Sequence, residues 1–367
     1  MNCIIRLQKL LFVSSIFGFR DKMSSAKHFQ EILEKLSIPD NKKAMYTEDS
    51  EEIQNYVIDE LKRVDNTFRQ VFNGLSLGGS YLDRVKLNVP DAFDLHMKLK
   101  FPFHIQPIPS DKGFVFLEGN FQVVHPQLIH RIHLQNWLRE AFHKVFRSDK
   151  EFATTSGRVY KLSYTLEGYG CAHTILADCG SQSISFDLVP AFEFTGSQWP
   201  FAVCPVPAEV RQNWPWFAIP QQKKKSAKPK SSFMVCAPHW EREIMKGTDN
   251  LKNVLRLMKG LRDAHVNNLP HLSSYMLKTV LLHRIESADW ERDLGTLLVE
   301  MWSHLVDHLR ARRLEFFLAR DHNVINRMNQ GEIKTCLKFA EILLQNLRYA
   351  QTSGSYQYLA KLFQIQN

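Results

Sequence analysis

The sequence predicts an α+β protein of two lobes: a mixed sheet lobe with a long spine helix, followed by a C-terminal helical lobe. Three observations carry this. Ile53, Val57, Leu61, Val64, Phe68 and Phe72 line one helical stripe for about five turns. Phe93, Leu95, Met97, Leu99 and Phe101 alternate with Asp94, His96, Lys98 and Lys100, which is the pattern of a half-buried strand. After Ser231 the chain reads as helix, with stripes Leu251/Val254/Leu255/Met258/Leu261, Leu294/Leu297/Leu298/Met301/Leu305 and Ile333/Leu337/Ala340/Leu344/Leu347.

The elements follow in order. Arg6 and Lys9 precede a short apolar run ending near Phe19, which Ser14 and Ser15 interrupt. No small-residue cleavage pattern follows it, so residues 1–22 read as an extension or alternative start. A first helix is expected from Ser25 to Leu36, on the spacing of Phe29, Ile32, Leu33 and Leu36. The polar stretch Asp40–Ala44 separates it from the spine helix. Asp49 with Glu52 reads as the spine helix's capping box, and Gly74 as its stop. Gly78-Gly79-Ser80 is a tight small-residue turn. Further strands are expected at Gly113–Val124, Tyr160–Tyr164 and Ser183–Phe194, with a helix at Gln127–Arg147. Pro205, Pro207, Pro215 and Pro220 punctuate a connector ending in Lys223-Lys224-Lys225. The expected organisation is an extension (1–22), a core with the spine helix (23–204), a Pro/Lys-rich connector (205–230) and a helical lobe (231–367).

The 367 residues suit two domains at roughly 100–200 residues each. Hydrophobic and charged fractions of 44% and 23% are ordinary for a globular chain, which excludes a disordered one. Lysine and arginine (47) exceed aspartate and glutamate (38), giving a net charge of +9 and favouring polyanionic partners. The six cysteines show no zinc spacing and read as reduced thiols in a cytoplasmic protein. No apolar run reaches the ~18 residues of a membrane span. His125, His130 and His133 have no carboxylate in register and read as structural or surface residues. Lys223, Lys224 and Lys225 read either as a solvated loop or as a nucleic-acid contact.

One constellation bears chemistry. A Gly79-Ser80 turn lets backbone N–H groups and a hydroxyl approach a triphosphate. Asp94 on one strand and Asp187 on a second can hold Mg²⁺ or Mn²⁺. Nucleotidyl transfer needs this set, ordinarily with a third carboxylate that completes a two-metal clamp.

Gly79-Ser80-Tyr81-Leu82-Asp83-Arg84-Val85-Lys86-Leu87 followed by Phe93-Asp94 resembles the signature of cyclic GMP-AMP synthase and the related male-abnormal-21-like nucleotidyltransferase-fold family. Four further blocks resemble it in order. They are Ser185–Ala191, His239–Ile244, Leu257-Met258-Lys259 and Leu272–Thr279. The resemblance implies a bilobal nucleotidyltransferase fold that makes a cyclic dinucleotide from ATP and GTP. It implies metal-binding and catalytic roles for Asp94 and Asp187. It implies nucleotide contacts from Gly79, Ser80, Asp187, Glu241, Lys259, Ser274, Tyr275 and Lys278, with Glu241 at the acceptor guanine and Tyr275 stacking on a base. The vertebrate DNA-sensing member carries a Cys/His zinc insertion, whereas His239–Lys259 here holds no cysteine. The insect-type synthase-like receptors also lack zinc, so the resemblance implies double-stranded RNA as activator and a STING-type receptor as reader of the product.

The sequence departs from the family at one position. The family places glutamate two residues before the aspartate, where this chain has Ala92. Asp91 lies at an odd offset, on the opposite face of a regular strand. Loss of one metal-ligating carboxylate costs about 10³-fold or more in rate. A synthase and a catalytically impaired nucleotide-binding or nucleic-acid-binding relative are therefore both open readings.

Overall fold

The computed structural model describes residues 26–87, 92–110, 113–119, 127–148, 150–165, 171–222 and 229–365. The expected extension (1–22), Asp91, His125 and Lys223–Lys225 lie outside these residues. In chain order the elements begin with α1 (26–36), α2 (Asp40–Val64), α3 (Asn66–Val71), β1 (Phe72–Leu77), α4 (Gly79–Leu82) and β2 (Ala92–Leu99). Next come β3 (Ile105–Pro109), β4 (Phe114–Gly119), β5 (Gln127–Leu128), α5 (Arg131–Val145), β6 (Lys150–Ala153), β7 (Val159–Thr165), β8 (His173–Asp178) and β9 (Ser183–Phe194). Then follow α6 (Ala208–Asn213), β10 (Trp216–Ile219), β11 (Ser232–Cys236), α7 (Pro238–Ile244), α8 (Asp249–Ala264), α9 (Ser274–Leu282), α10 (Leu294–Ala311), α11 (Gln330–Ser353) and α12 (Tyr356–Leu362). The α+β expectation holds.

The chain forms two compact units. One comprises residues 38–246 and 317–322; the other comprises the chain up to Ser37, residues 247–316 and those from Asn323 onward. The expected boundary at residue 231 falls inside the first unit, because Ser232–Cys236 is a strand rather than helix. It pairs with β10 and β4 and is buried along its length except at Cys236, so the apolar run Phe233–Cys236 marks an interior strand.

In the sheet unit the main path runs β3-β4-β11-β10-β9-β8-β7-β6, with β2 and β1 branching from β9 and β5 added to β4. β9 is the hub. Its first half pairs with β8 antiparallel and β2 parallel, and its last residues pair with β10. Phe93, Leu95 and Met97 of β2 and Ile184, Phe186 and Leu188 of β9 are buried on one face of this pair. Ile53, Val57 and Leu61 of α2 and Leu138 and Phe142 of α5 are buried with them in the unit's core.

Two spine-helix expectations are corrected. The stripe from Ile53 to Phe72 is not one helix. It breaks at Asp65, whose carboxylate accepts from Phe68 N (2.8 Å) and so caps a new helix, α3. The same carboxylate accepts from Trp137 Nε1 (3.2 Å), which ties the break to α5. The chain then enters β1 before Gly74. Asp49 is not a cap. Helix α2 begins at Asp40, and Asp49 is fully buried within it. Its carboxylate accepts from Arg158 Nε (2.6 Å) and Nη2 (3.0 Å), Tyr160 Oη (2.6 Å), Ser156 Oγ (2.9 Å) and Gln182 Nε2 (3.2 Å). Burial opposes its ionisation, but these donors outweigh burial and hold its pKa below the ordinary value.

The helical unit packs α1 closely against its neighbours. A Cβ at Gly260 of α8 would lie 2.5 Å from Leu36, and one at Gly295 of α10 2.6 Å from Phe29. Phe29 and Ile32 are accordingly fully buried. No helix among the described residues is long and apolar enough to cross a membrane.

Arg158→Met removes the main counter-charge of a buried carboxylate. It should lower unfolding stability in urea by about 3 kcal/mol, as expected when one partner of a buried pair is lost.

His173 is 4% exposed, within hydrogen-bond distance of Tyr164 Oη (Nδ1, 2.9 Å) and Gln135 Oε1 (Nε2, 2.9 Å). Burial, with a smaller contribution from Arg139, pushes its pKa down to about 4. The unfolded imidazole titrates near 6.5, so between these values the unfolded chain binds more protons. The stability from the neutral ring is therefore fully present above about pH 6.5 and declines toward about pH 4. Thermal melts over that range should show a falling Tm, with a shallower slope in His173→Gln.

Candidate nucleotide and metal site

The site face of the sheet follows from strand parity. In β2 the apolar residues Phe93, Leu95 and Met97 point to the core, which leaves Ala92, Asp94, His96 and Lys98 on the other face. In β9 the same logic puts Ser185, Asp187, Val189 and Glu193 on that face. The parallel register pairs Asp94 with Asp187 and Ala92 with Ser185. The two acids thus stand side by side, Asp94 exposed and Asp187 half-buried.

The glycine turn meets Asp94 directly. Gly78 N donates to Asp94 O (2.8 Å), and Gly79 has φ +59. A Cβ at Gly79 would fall 1.7 Å from Asp94 Oδ2, so only glycine lets the Asp94 carboxylate rest on this turn. Ser80 follows at once, half-buried in the single turn α4, and its carbonyl accepts from Val85 N (2.9 Å). The turn is anchored by Tyr81, whose ring contacts Phe93 (4.5 Å) and whose hydroxyl meets Thr47 Oγ1 (2.5 Å). Gly79, Ser80, Asp94 and Asp187 are therefore brought together within the sheet unit.

Two neighbours escaped the sequence reading. Thr174 of β8 pairs with Asp187, and its hydroxyl donates to Asp187 Oδ1 (2.6 Å). This bond fixes the carboxylate and leaves Oδ2 as the less encumbered donor. Its only sequence signal is alternation along β8, which does not reveal the partner strand. His239 lies within 3.1 Å of Ser76 Oγ through Nε2, stacks on Trp214 at 4.9 Å, and belongs to the same unit. Ser76 pairs with His96, placing this group beside the acids. His96 is 7% exposed, and burial, then the nearby His239, pushes its pKa down to about 4.

The other residues implied by the resemblance sit differently. Glu241 in α7 is 4% exposed, within the sheet unit. Lys259 of α8, and Ser274, Tyr275 and Lys278 of α9, belong to the helical unit. Lys259 and Lys278 are 5% and 7% exposed. Arg262 joins α8 to α9 by donating to Leu272 O (2.9 Å) and Ser274 Oγ (2.9 Å). Tyr275 is half-buried, with its ring 5.9 Å from that of Phe316.

The donor set fits magnesium. Two carboxylates in register supply hard oxygen ligands, and Mg²⁺ commonly binds through one or two carboxylates plus substrate phosphates. It falls short of a three-carboxylate clamp. Position 92, one pleat before Asp94 on the same face, carries a methyl group, and no group of three or more potential ligating side chains occurs among the described residues.

Comparison with known proteins finds two matching domains. Residues 81–247 match the Mab-21 protein nucleotidyltransferase domain, and residues 250–341 the Mab-21 protein HhH/H2TH-like domain. A Drosophila melanogaster protein described as cyclic GMP-AMP synthase-like protein is 78% identical over 346 residues, covering 94% of this chain and 100% of the relative. A cyclic GMP-AMP synthase-like receptor of Drosophila eugracilis is 33% identical over 90% of this chain and 94% of its own length. One from Lucilia cuprina is 28% identical over 85% and 89%. With both domains matched in order and the paired acids inside the first, the chain belongs to the Mab-21 family of cyclic GMP-AMP synthase-like proteins.

Proposed function

We propose that this chain binds a magnesium-complexed nucleoside triphosphate on the Gly79–Ser80 turn and the Asp94/Asp187 pair, as a cyclic dinucleotide synthase that uses ATP and GTP. The observation that carries the reading is the parallel register that sets Asp94 beside Asp187 against a turn only glycine can form. Backbone N–H groups of the turn and the Ser80 hydroxyl bind the donor triphosphate. Asp94 and Asp187 hold Mg²⁺ or Mn²⁺, which when bound stabilises charge on the phosphoryl oxygens. Thr174 orients Asp187. In the helical unit Lys259, Lys278 and Ser274 are phosphate contacts and Tyr275 stacks on a base; Glu241 recognises the acceptor. Double-stranded RNA is the activator, bound along its backbone without sequence preference. The product is an innate-immune messenger read in the cytoplasm by a STING-type receptor.

A second reading rests on Ala92: the chain binds nucleotide but turns it over poorly, and acts as a binding or interaction protein. The two readings share the binding site and differ in the chemistry that follows.

Thermal melts with ATP, with and without Mg²⁺, test the shared part. The unaltered protein should gain a metal-dependent stabilisation, about 2.7 kcal/mol at a ligand concentration 100 times Kd. Asp187→Asn should lose the metal-dependent part, and Thr174→Val should shrink it. Identical shifts in all three proteins would remove the carboxylates from the site.

Product formation from ATP and GTP, followed chromatographically with long duplex RNA and Mg²⁺, separates the readings. Ala92→Glu restores a third carboxylate and should raise the rate by about 10³-fold, with no product when RNA is omitted. A folded Ala92→Glu protein that stays silent with every nucleic acid would leave the binding-protein reading.

A further inference from the structure

We infer that a cavity at the far end of β2 and β9 is a second ligand site, which takes a guanine mononucleotide. It lies wholly within the sheet unit and has a volume of about 460 Å³, within the range of small-molecule pockets. Glu193, on its lining, is six residues beyond Asp187 along β9, about 20 Å at ~3.3 Å per residue. The cavity is therefore separate from the paired acids.

Its walls define the ligand. Phe101 and Phe103 line it, their ring centroids 5.4 Å apart. Phe101 stacks on buried Phe192 at 5.9 Å and 17°, which holds the aromatic wall in place. A flat π-system suits such a wall. Lys100 and His104 line the same cavity and can donate to an anionic group. The acidic side chain there, Glu193, has one oxygen 3.2 Å from Lys98 Nζ, outside the lining. Gln198 completes the set. Its Oε1 already accepts from Thr195 N (3.0 Å) and Oγ1 (3.1 Å), so what it offers a ligand is its amide N–H donors.

A planar ring, an anion and an edge that pairs with both a carboxylate and an N–H donor describe guanine mononucleotide. Guanine presents N1–H and N2–H to a carboxylate, with O6 beside them as acceptor for an amide N–H. Adenine offers only its N6 amino group as donor on that edge, and pyrimidines cover less of the wall. The residues concerned have no place in the metal site, so the inference stands whether or not the chain makes a cyclic dinucleotide.

Isothermal titration of the full chain with GMP and with AMP, in buffer containing EDTA, tests it. GMP should bind saturably in the absence of metal, at least about tenfold more tightly than AMP. Binding should survive in Asp187→Asn. It should weaken about tenfold or more in Glu193→Gln, and also in Lys100→Glu, both at exposed positions where the fold tolerates change. Circular dichroism of each variant confirms folding. No saturable binding at millimolar GMP, equal affinity for AMP, or loss in Asp187→Asn with none in the other two would overturn the assignment.

Discussion

The parallel pairing of β2 with β9 is the constraint from which the site follows. Side chains alternate along a strand, so a slip of one residue in this pairing would turn either Asp94 or Asp187 toward the core. The core prevents that slip. Phe93, Leu95 and Met97 on one strand and Phe186 and Leu188 on the other are nearly fully buried, and moving them to solvent would expose all of that apolar surface. Hydrophobic burial on one face thereby fixes carboxylate geometry on the other. β9 can act as hub because its twelve residues are long enough to serve β8, β2 and β10 in turn.

The protein uses its carboxylates in two ways. Asp49 is internal to the fold, and five donors from three side chains of the β6–β7 region plus Gln182 make it a clamp between α2 and the sheet. Such a carboxylate has no capacity left for a ligand. Asp94 and Asp187 are the opposite case: two like charges set side by side, with one oxygen of Asp187 tied down by Thr174. Adjacent carboxylates repel, and a cation relieves that repulsion, so the arrangement favours a metal for the same reason that it disfavours the bare pair.

Position 92 limits the chemistry. Ala92 occupies the site face one pleat before Asp94, paired with Ser185, and neither side chain can supply a carboxylate. The glycine turn and its contact with Asp94 do not depend on that position. Gly79, Ser80 and Asp94 are locked together by the turn itself. On the proposed reading, binding and turnover are separable: triphosphate capture needs donors and one cation, whereas in-line transfer gains from a second metal that clamps both attacking and leaving oxygens.

Local pattern alone determined much of this. Alternation identifies β2, and the strand expected at Ser183–Phe194 coincides with β9, because each strand buries one face and its period of two is strong. The ordered motifs identify the family. Other features depended on partners distant in the chain. The helical stripe from Ile53 to Phe72 runs unbroken in sequence, yet Asp65 breaks the helix where Phe68 N and Trp137 both need an acceptor. Asp49 resembles a cap locally and is a buried anchor only because Arg158 and Tyr160, over a hundred residues away, fold onto it. The apolar run Phe233–Cys236 is equally compatible with a buried helix until β10 and β4 flank it. The pairing of Asp94 with Asp187, the bond from Thr174 and the end-of-sheet cavity were settled by tertiary structure alone. Strand register is a relation between distant segments, and neither segment carries it by itself.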